Sequence, residues 1–190
     1  AEARRRLGLP LDVPLLAFAG TLAPELRLDL LFGALEAAPD LHLVLVGDGP
    51  QRARVEAAVR RLAPRLAWLG ARPHEDAIDA LRAGDACINV RDGIVGMKVF
   101  EYVAVGRRFA TFDVADAAEL EELYPGLEAV HLIHGRTPEG VLAAARAALA
   151  AEAARGPLPD EAVERARGRV GWDLTARQIE ALLGRVIPGR

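Results

Sequence analysis

A parallel β-sheet wound in both directions and covered by helices on both faces is the fold that the sequence predicts, on three observations. Short apolar runs recur along the chain between segments with helical spacing. The runs are apolar throughout rather than alternating, which is the pattern of strands buried on both faces. Between most successive runs lies a segment able to form the helical crossover that parallel strands need. The class is therefore α/β, with a Rossmann-like, doubly wound arrangement.

The elements follow in order. Pro14 to Ala19 reads as a buried strand, Leu28 to Ala38 as a helix, and Leu41 to Val46 as a second strand. Gln51 to Leu62 repeats apolar residues at helical spacing, Leu66 to Leu69 forms a third strand, and His74 to Arg82 a further helix. Ala86 to Val90 is the fourth strand, Phe109 to Phe112 the fifth, and a weaker one lies near Ala129 to Ile133. The alanine-rich run from Ala143 to Ala154 is a good helix former. Ala151 to Pro159, rich in alanine, glycine and proline, reads as a linker into a last helical pair, whose final helix opens at Gly171-Trp172-Asp173. The expected organisation is a Rossmann-like domain over 1–155, with 156–190 a helical segment of the same domain.

Composition sets limits. A chain of 190 residues that is 52% hydrophobic buries one good core. The net charge is −3 with the basic residues mostly interleaved with acidic ones, so no nucleic-acid partner is expected. The three arginines Arg4 to Arg6 read as the solvated end of a helix or linker. Cys87 is the single cysteine, which excludes an internal disulfide and any multi-cysteine metal site. It lies in an apolar run and reads as a small core residue rather than a nucleophile. His131 and His134 have ligand-like spacing but no partner carboxylates, so no metal is expected. The apolar runs fall short of the roughly 20 residues that span a bilayer, and no signal-peptide pattern opens the chain. A reducing, cytoplasmic location is expected.

In a sheet of this kind ligands sit beyond the carboxyl ends of the strands, at the switch point between the first and fourth. The loops there start at Gly20, Gly70 and Arg91. No glycine-x-glycine-x-x-glycine follows the first strand and there is no Walker loop, which argues against a dinucleotide dehydrogenase. Gly47-Asp48-Gly49-Pro50 reads as a tight turn, with proline at the helix start. The stretch from Gly93 to Arg108 reads as a glycine-containing loop opening into an amphipathic helix. Its start offers unpaired N–H groups near Gly96 and Met97, and Lys98 adds a charge where the helix dipole alone disfavours one. Glu101 shares a helical face with Lys98, so the lysine could meet a diphosphate while the glutamate accepts from a ribose. An exposed ion pair fits the same spacing equally well.

Gly96-Met97-Lys98-Val99-Phe100-Glu101-Tyr102, with Phe18-Ala19-Gly20-Thr21-Leu22, Leu43 to Pro50, Trp68-Leu69-Gly70 and the late Trp172-Asp173, resembles the C-terminal half of GT-B glycosyltransferases of the retaining, group 1 (family 4-like) type. The resemblance spans nearly the whole chain. It implies half of a GT-B fold that binds a nucleotide-diphosphate sugar as donor substrate, with no cofactor and no metal. The acceptor would be held by an N-terminal acceptor-binding domain that 190 residues have no room for, and the acceptor itself is not specified. The 156–190 segment would cross to that missing half, through which the enzyme could sit peripherally at a membrane.

Carried over by position, the resemblance gives Glu101 the ribose hydroxyls. The first of the family's two glutamates would fall at Gly93, leaving Asp92 to supply its contact to the donor sugar. The family's arginine after the first strand would fall at Thr21 and its nearby lysine at about Leu26, so two cations are missing. Lys98 and Arg91, with Arg27 and the N–H groups near Gly96 and Met97, are the candidates to replace them in catalysis. Arg91 reads equally as an ordinary loop arginine, Arg27 as a surface residue, and Asp92-Gly93 as a turn. Ala71, Arg72 and Pro73 would seat the base, with His74 capping the next helix and Trp68 and Trp172 packing. Two other classes stay open: half of a sugar-nucleotide 2-epimerase-like isomerase, and a non-catalytic nucleotide-sugar-binding partner domain.

Overall fold

The computed structural model of the chain describes residues 2–93, 98–114, 126 and 128–170. Six strands, β1 (Leu15–Ala19), β2 (His42–Val46), β3 (Leu66–Trp68), β4 (Ala86–Asn89), β5 (Phe109–Phe112) and β6 (Val130–Ile133), form one sheet in the order β3-β2-β1-β4-β5-β6. All pairs are parallel. The chain winds outward from β1 to β3, returns to place β4 beside β1, and winds outward again. The switch point lies between β1 and β4, as the sequence predicts.

The described helices are α1 (Glu2–Arg6), α2 (Leu28–Ala37), α3 (Arg52–Leu62), α4 (His74–Ala83), α5 (Lys98–Ala104), α6 (Pro138–Arg155) and α7 (Asp160–Val170). Side chains alternate across a strand, so one apolar run feeds two cores. Leu16 and Phe18 of β1 pack with Leu31 and Leu35 of α2, Val55 of α3 and Val141 and Ala145 of α6. Leu15, Ala17 and Ala19 face the other way, towards Leu81 of α4, Val99 and Tyr102 of α5 and Val163 of α7. This two-sided burial is why the runs carry no polar alternation.

Three readings need correction. The predicted linker from Ala151 is helical as far as Arg155, because Glu152 is buried and closes on Arg107 (2.6 Å) and Arg108 (2.9 Å). The helix stops where Gly156 takes φ +71° and its N–H reaches the Glu152 carbonyl, leaving 156–159 as the connection to α7. Arg4 is not solvated: its Nε donates to the Ala83 carbonyl (2.8 Å), its Nη1 to those of Leu11 and Val13, and its Nη2 meets Asp85 at 2.7 Å. It clamps α1 to the amino-terminal edge of the sheet. Pro50 lies before the Gln51 cap of α3 rather than inside its first turn.

Gly171-Trp172-Asp173 lies outside the described residues. Among the described residues no helix is long and apolar enough to cross a membrane, and no cluster of metal-ligating side chains occurs.

Candidate functional site

Three loops leave the carboxyl ends of β1, β2 and β3 and are laced together by main chain. The Gly20 N–H donates to the Val46 carbonyl (3.0 Å), that of Leu22 to Asp48 (3.0 Å), that of Gln51 to Leu22 (3.1 Å) and that of Gly47 to Gly70 (2.8 Å). Such close approach needs glycine. Gly47 holds φ +135° with its α-carbon against the Gly20 carbonyl, and Gly49 holds φ +155° against the backbone of Leu22. Trp68 closes the lacing from below, its indole N–H donating to the Gly47 carbonyl at 2.9 Å. With Arg52 5.2 Å over its ring, Trp68 is a packing residue, as expected.

Above this floor opens a cleft of about 420 Å³, whose lining includes Gly20, Thr21, Gly47, Asp48, Arg72, His74 and Lys98. Its one carboxylate is already engaged: Asp48 accepts from its neighbour's N–H through Oδ1 (2.8 Å) and from Arg52 through Oδ2 (2.9 Å). Apart from the Thr21 hydroxyl, the other polar side chains of the lining are Arg72, His74 and Lys98, so the cleft suits an anion.

Helix α5 brings Lys98 to the cleft because its other face is anchored. Val99, Tyr102 and Val103 are buried, and the Tyr102 hydroxyl donates to the Ile88 carbonyl of β4 (3.3 Å) while its ring stands 5.6 Å from that of Phe109. Lys98 and Glu101 are left on the outer side, with Lys98 Nζ 3.0 and 2.9 Å from the two Glu101 oxygens. The ion pair expected from the spacing therefore exists, at the cleft rather than on a remote surface.

Of the residues predicted for the site, Gly20, Thr21, Arg72 and Lys98 come together in the cleft lining. Glu101 reaches it only through Lys98. Gly96 and Met97 lie outside the described residues. Arg91 and Asp92 are not among the lining residues. Arg91 forms an antiparallel bridge with Leu26, and its N–H donates to Asn89 Oδ1 (3.3 Å). Asp92 is held by Arg136 at 2.6 Å and by Arg27 at 3.5 Å, and Arg136 stacks 4.1 Å from the Phe112 ring centroid. Arg27 also pairs with Asp29 at 3.0 Å. That hydrogen bond raises the guanidinium above its ordinary range and holds the Asp29 carboxyl below its own. Leu26 is buried, and Gly93 sits at φ +92° with open space around it.

His74 does not cap α4. The cap position is Pro73, which makes no side-chain bond, and the imidazole lines the cleft instead. Sequence reasoning missed His74, Gly47 and Asp48 as lining residues. The available signal was the pair of glycines around Asp48, which marks backbone held in conformations other residues avoid. Cys87 is fully buried, and burial pushes its thiol far above the ordinary range, in keeping with a core residue. Burial pushes His131 below its ordinary range, and among the described residues His134 meets Asp113, at 3.4 Å.

A parallel sheet in this order, with a polar cleft across its switch point, is the Rossmann-like architecture of one half of a GT-B fold. The chain belongs to the family Glycosyl transferases group 1, whose profile matches residues 13–151. A GDP-mannose-dependent alpha-mannosyltransferase of Mycobacterium tuberculosis is 36% identical over 88 residues, covering 46% of this chain and 22% of that protein. Sucrose-phosphate synthase from Thermosynechococcus elongatus superposes with a TM-score of 0.76 at 24% identity, over 97% of this chain and 48% of its own. The Anabaena protein HepE, solved with UDP-glucose, gives 0.76 at 19% identity over 97% and 52%. The chain thus spans about half the length of these solved structures, and the likeness is one of fold.

Proposed function

We propose that this chain is the donor-binding half of a glycosyltransferase that moves a sugar from a nucleotide-diphosphate sugar to an acceptor hydroxyl. The observation that carries the reading is the cleft at the β1/β4 switch point, floored by main chain and walled by Arg72, His74 and Lys98. Family membership supports it, as does the UDP-glucose named for HepE and the GDP-mannose named for the mycobacterial relative. In this reading Lys98 meets the diphosphate, Glu101 turns from Lys98 to the ribose hydroxyls, and the loop after Gly70 seats the base, while Asp92, held by Arg136 and Arg27, would reach the donor sugar only on leaving them. Negative charge grows on the diphosphate as it leaves, and preorganised cations lower that barrier. No metal or cofactor takes part, and the work is done in the cytoplasm.

A nucleoside diphosphate is expected to bind more tightly than its monophosphate. Lys98→Ala should remove most of that difference, because a charge-assisted contact of about 1.5 to 3 kcal/mol is lost. Calorimetric titration with the uridine, guanosine and adenosine series tests both points and identifies the base. Identical curves for parent and variant would refute the assignment of Lys98.

The isolated chain should bind donor without transferring sugar. Attack on the anomeric carbon needs an acceptor held at about 3 to 3.5 Å, and that alignment comes from the second half. Incubation with radiolabelled nucleotide sugars and a panel of alcohols checks this; sustained product above a Lys98→Ala control would contradict the two-half reading. The same incubation with the full-length protein separates a transferase from a non-catalytic binding domain, and a change in sugar configuration without transfer would identify an epimerase.

A further inference from the structure

We propose that Arg72, on the β3–α4 side of the cleft, supplies the second positive charge that meets the diphosphate, in place of the cations missing at Thr21 and Leu26. The proposal rests on the donor-site reading above and differs from the base contact that the family resemblance implies for this residue.

The other cations nearby are engaged with carboxylates or stand off the cleft. Arg27 lies between Asp29 and Asp92, and Arg136 is taken by Asp92. Arg52 pairs with both Asp48 and Glu56 at 2.9 Å. Arg91 does not line the cleft. Lys98 lines it but faces the two oxygens of Glu101. Arg72 lines the cleft, is exposed to it, and has no carboxylate partner among the described residues.

Among the described residues its hydrogen bond runs from Nε to the Leu69 carbonyl at 2.9 Å, within its own loop. That bond fixes the inner edge of the guanidinium and leaves the two terminal nitrogens as an open fork. A planar fork of this kind matches two phosphate oxygens at once. Thr21, also in the lining, offers a hydroxyl and no charge, so the positive charge of the cleft comes from Arg72 and Lys98.

The test compares nucleoside with nucleoside diphosphate, uridine with UDP and guanosine with GDP, by calorimetry on the parent chain and on Arg72→Gln. Arg72→Lys tests the charge without the fork, and Arg60→Gln, on the exposed side of α3, controls for net charge. The expected result is a fall of about tenfold or more in diphosphate affinity for Arg72→Gln, with nucleoside affinity unchanged. Arg72→Lys should recover part of the loss and Arg60→Gln should match the parent. If Arg72→Gln keeps the parent's diphosphate preference, or loses nucleoside and diphosphate affinity equally, Arg72 is not a phosphate ligand while the donor-site reading stands. If the parent binds none of the four probes and no adenosine diphosphate either, the donor-site reading itself fails and takes the assignment with it.

Discussion

Replacing Glu152 by alanine should lower the free energy of unfolding by about 3 to 5 kcal/mol, the usual effect of removing one partner from a buried charged network. Glu152 is 8% exposed and Arg108 3%, so the carboxylate is the countercharge to a guanidinium that water barely reaches. Its two oxygens are divided between Arg107 and Arg108, which also donate to the carbonyls of Arg82 and Gly156. Those carbonyl bonds hold the arginines in place after the substitution, keeping their charge buried. Glu152→Gln should lose less, because the amide oxygen still accepts. Urea denaturation of the three proteins measures the order. Since the network lies at the amino-terminal edge of β4 and β5, nucleotide affinity of the folded variant should be unchanged; a coupled loss of affinity would show that the two ends of the sheet communicate.

Gly47→Ala is expected to cost about 3 kcal/mol or more, combining backbone strain with a steric clash. At φ +135° an L-residue is strained, and the added methyl would overlap the Gly20 carbonyl oxygen, which is main chain and has no rotamer to escape into. Gly135→Ala separates the two causes. Gly135 also has a positive φ, +76°, but nothing stands within 4 Å of a Cβ there, so only the strain of about 1 to 2 kcal/mol applies. Thermal unfolding of both variants gives the comparison. The Gly47 variant should also lose cleft binding at temperatures where it remains folded, since the clash pushes the β1 and β2 loops apart. Equal midpoints for the two alanine variants would mean that the loops yield without cost.

The sheet was legible because burial on both faces leaves a simple mark, the unbroken apolar run, and the six strands are short enough to stand out from the helical segments. Their ends came within a residue or so. The amino-terminal edge was not legible: a run of arginines looks solvated whatever its partners, and the carbonyls and carboxylate that take Arg4 come from residues as distant in sequence as Ala83 and Asp85. The linker misreading at Ala151 has the same origin, since alanine, glycine and proline describe local preference while Glu152 is held by Arg107 and Arg108. At the cleft, Lys98 and Thr21 were readable from motif and position. Arg91 and Arg27 stood as candidates for the diphosphate, Asp92 for the donor sugar and Arg72 for the base, and only three-dimensional placement shows that Arg72 lines the cleft while the other three do not.

The lacing of Gly20, Gly47 and Gly70 has a consequence for how this domain can diversify. Because the floor is built from peptide groups, the lining positions Thr21, Arg72 and His74 can be exchanged while the main-chain bonds of the lacing remain, whereas the Asp48 carboxylate also holds the Gly49 N–H. The cations of the cleft can therefore move from one loop to another while the same scaffold persists, which makes the choice of ligand a property of a few side chains, Lys98 among them, rather than of the fold.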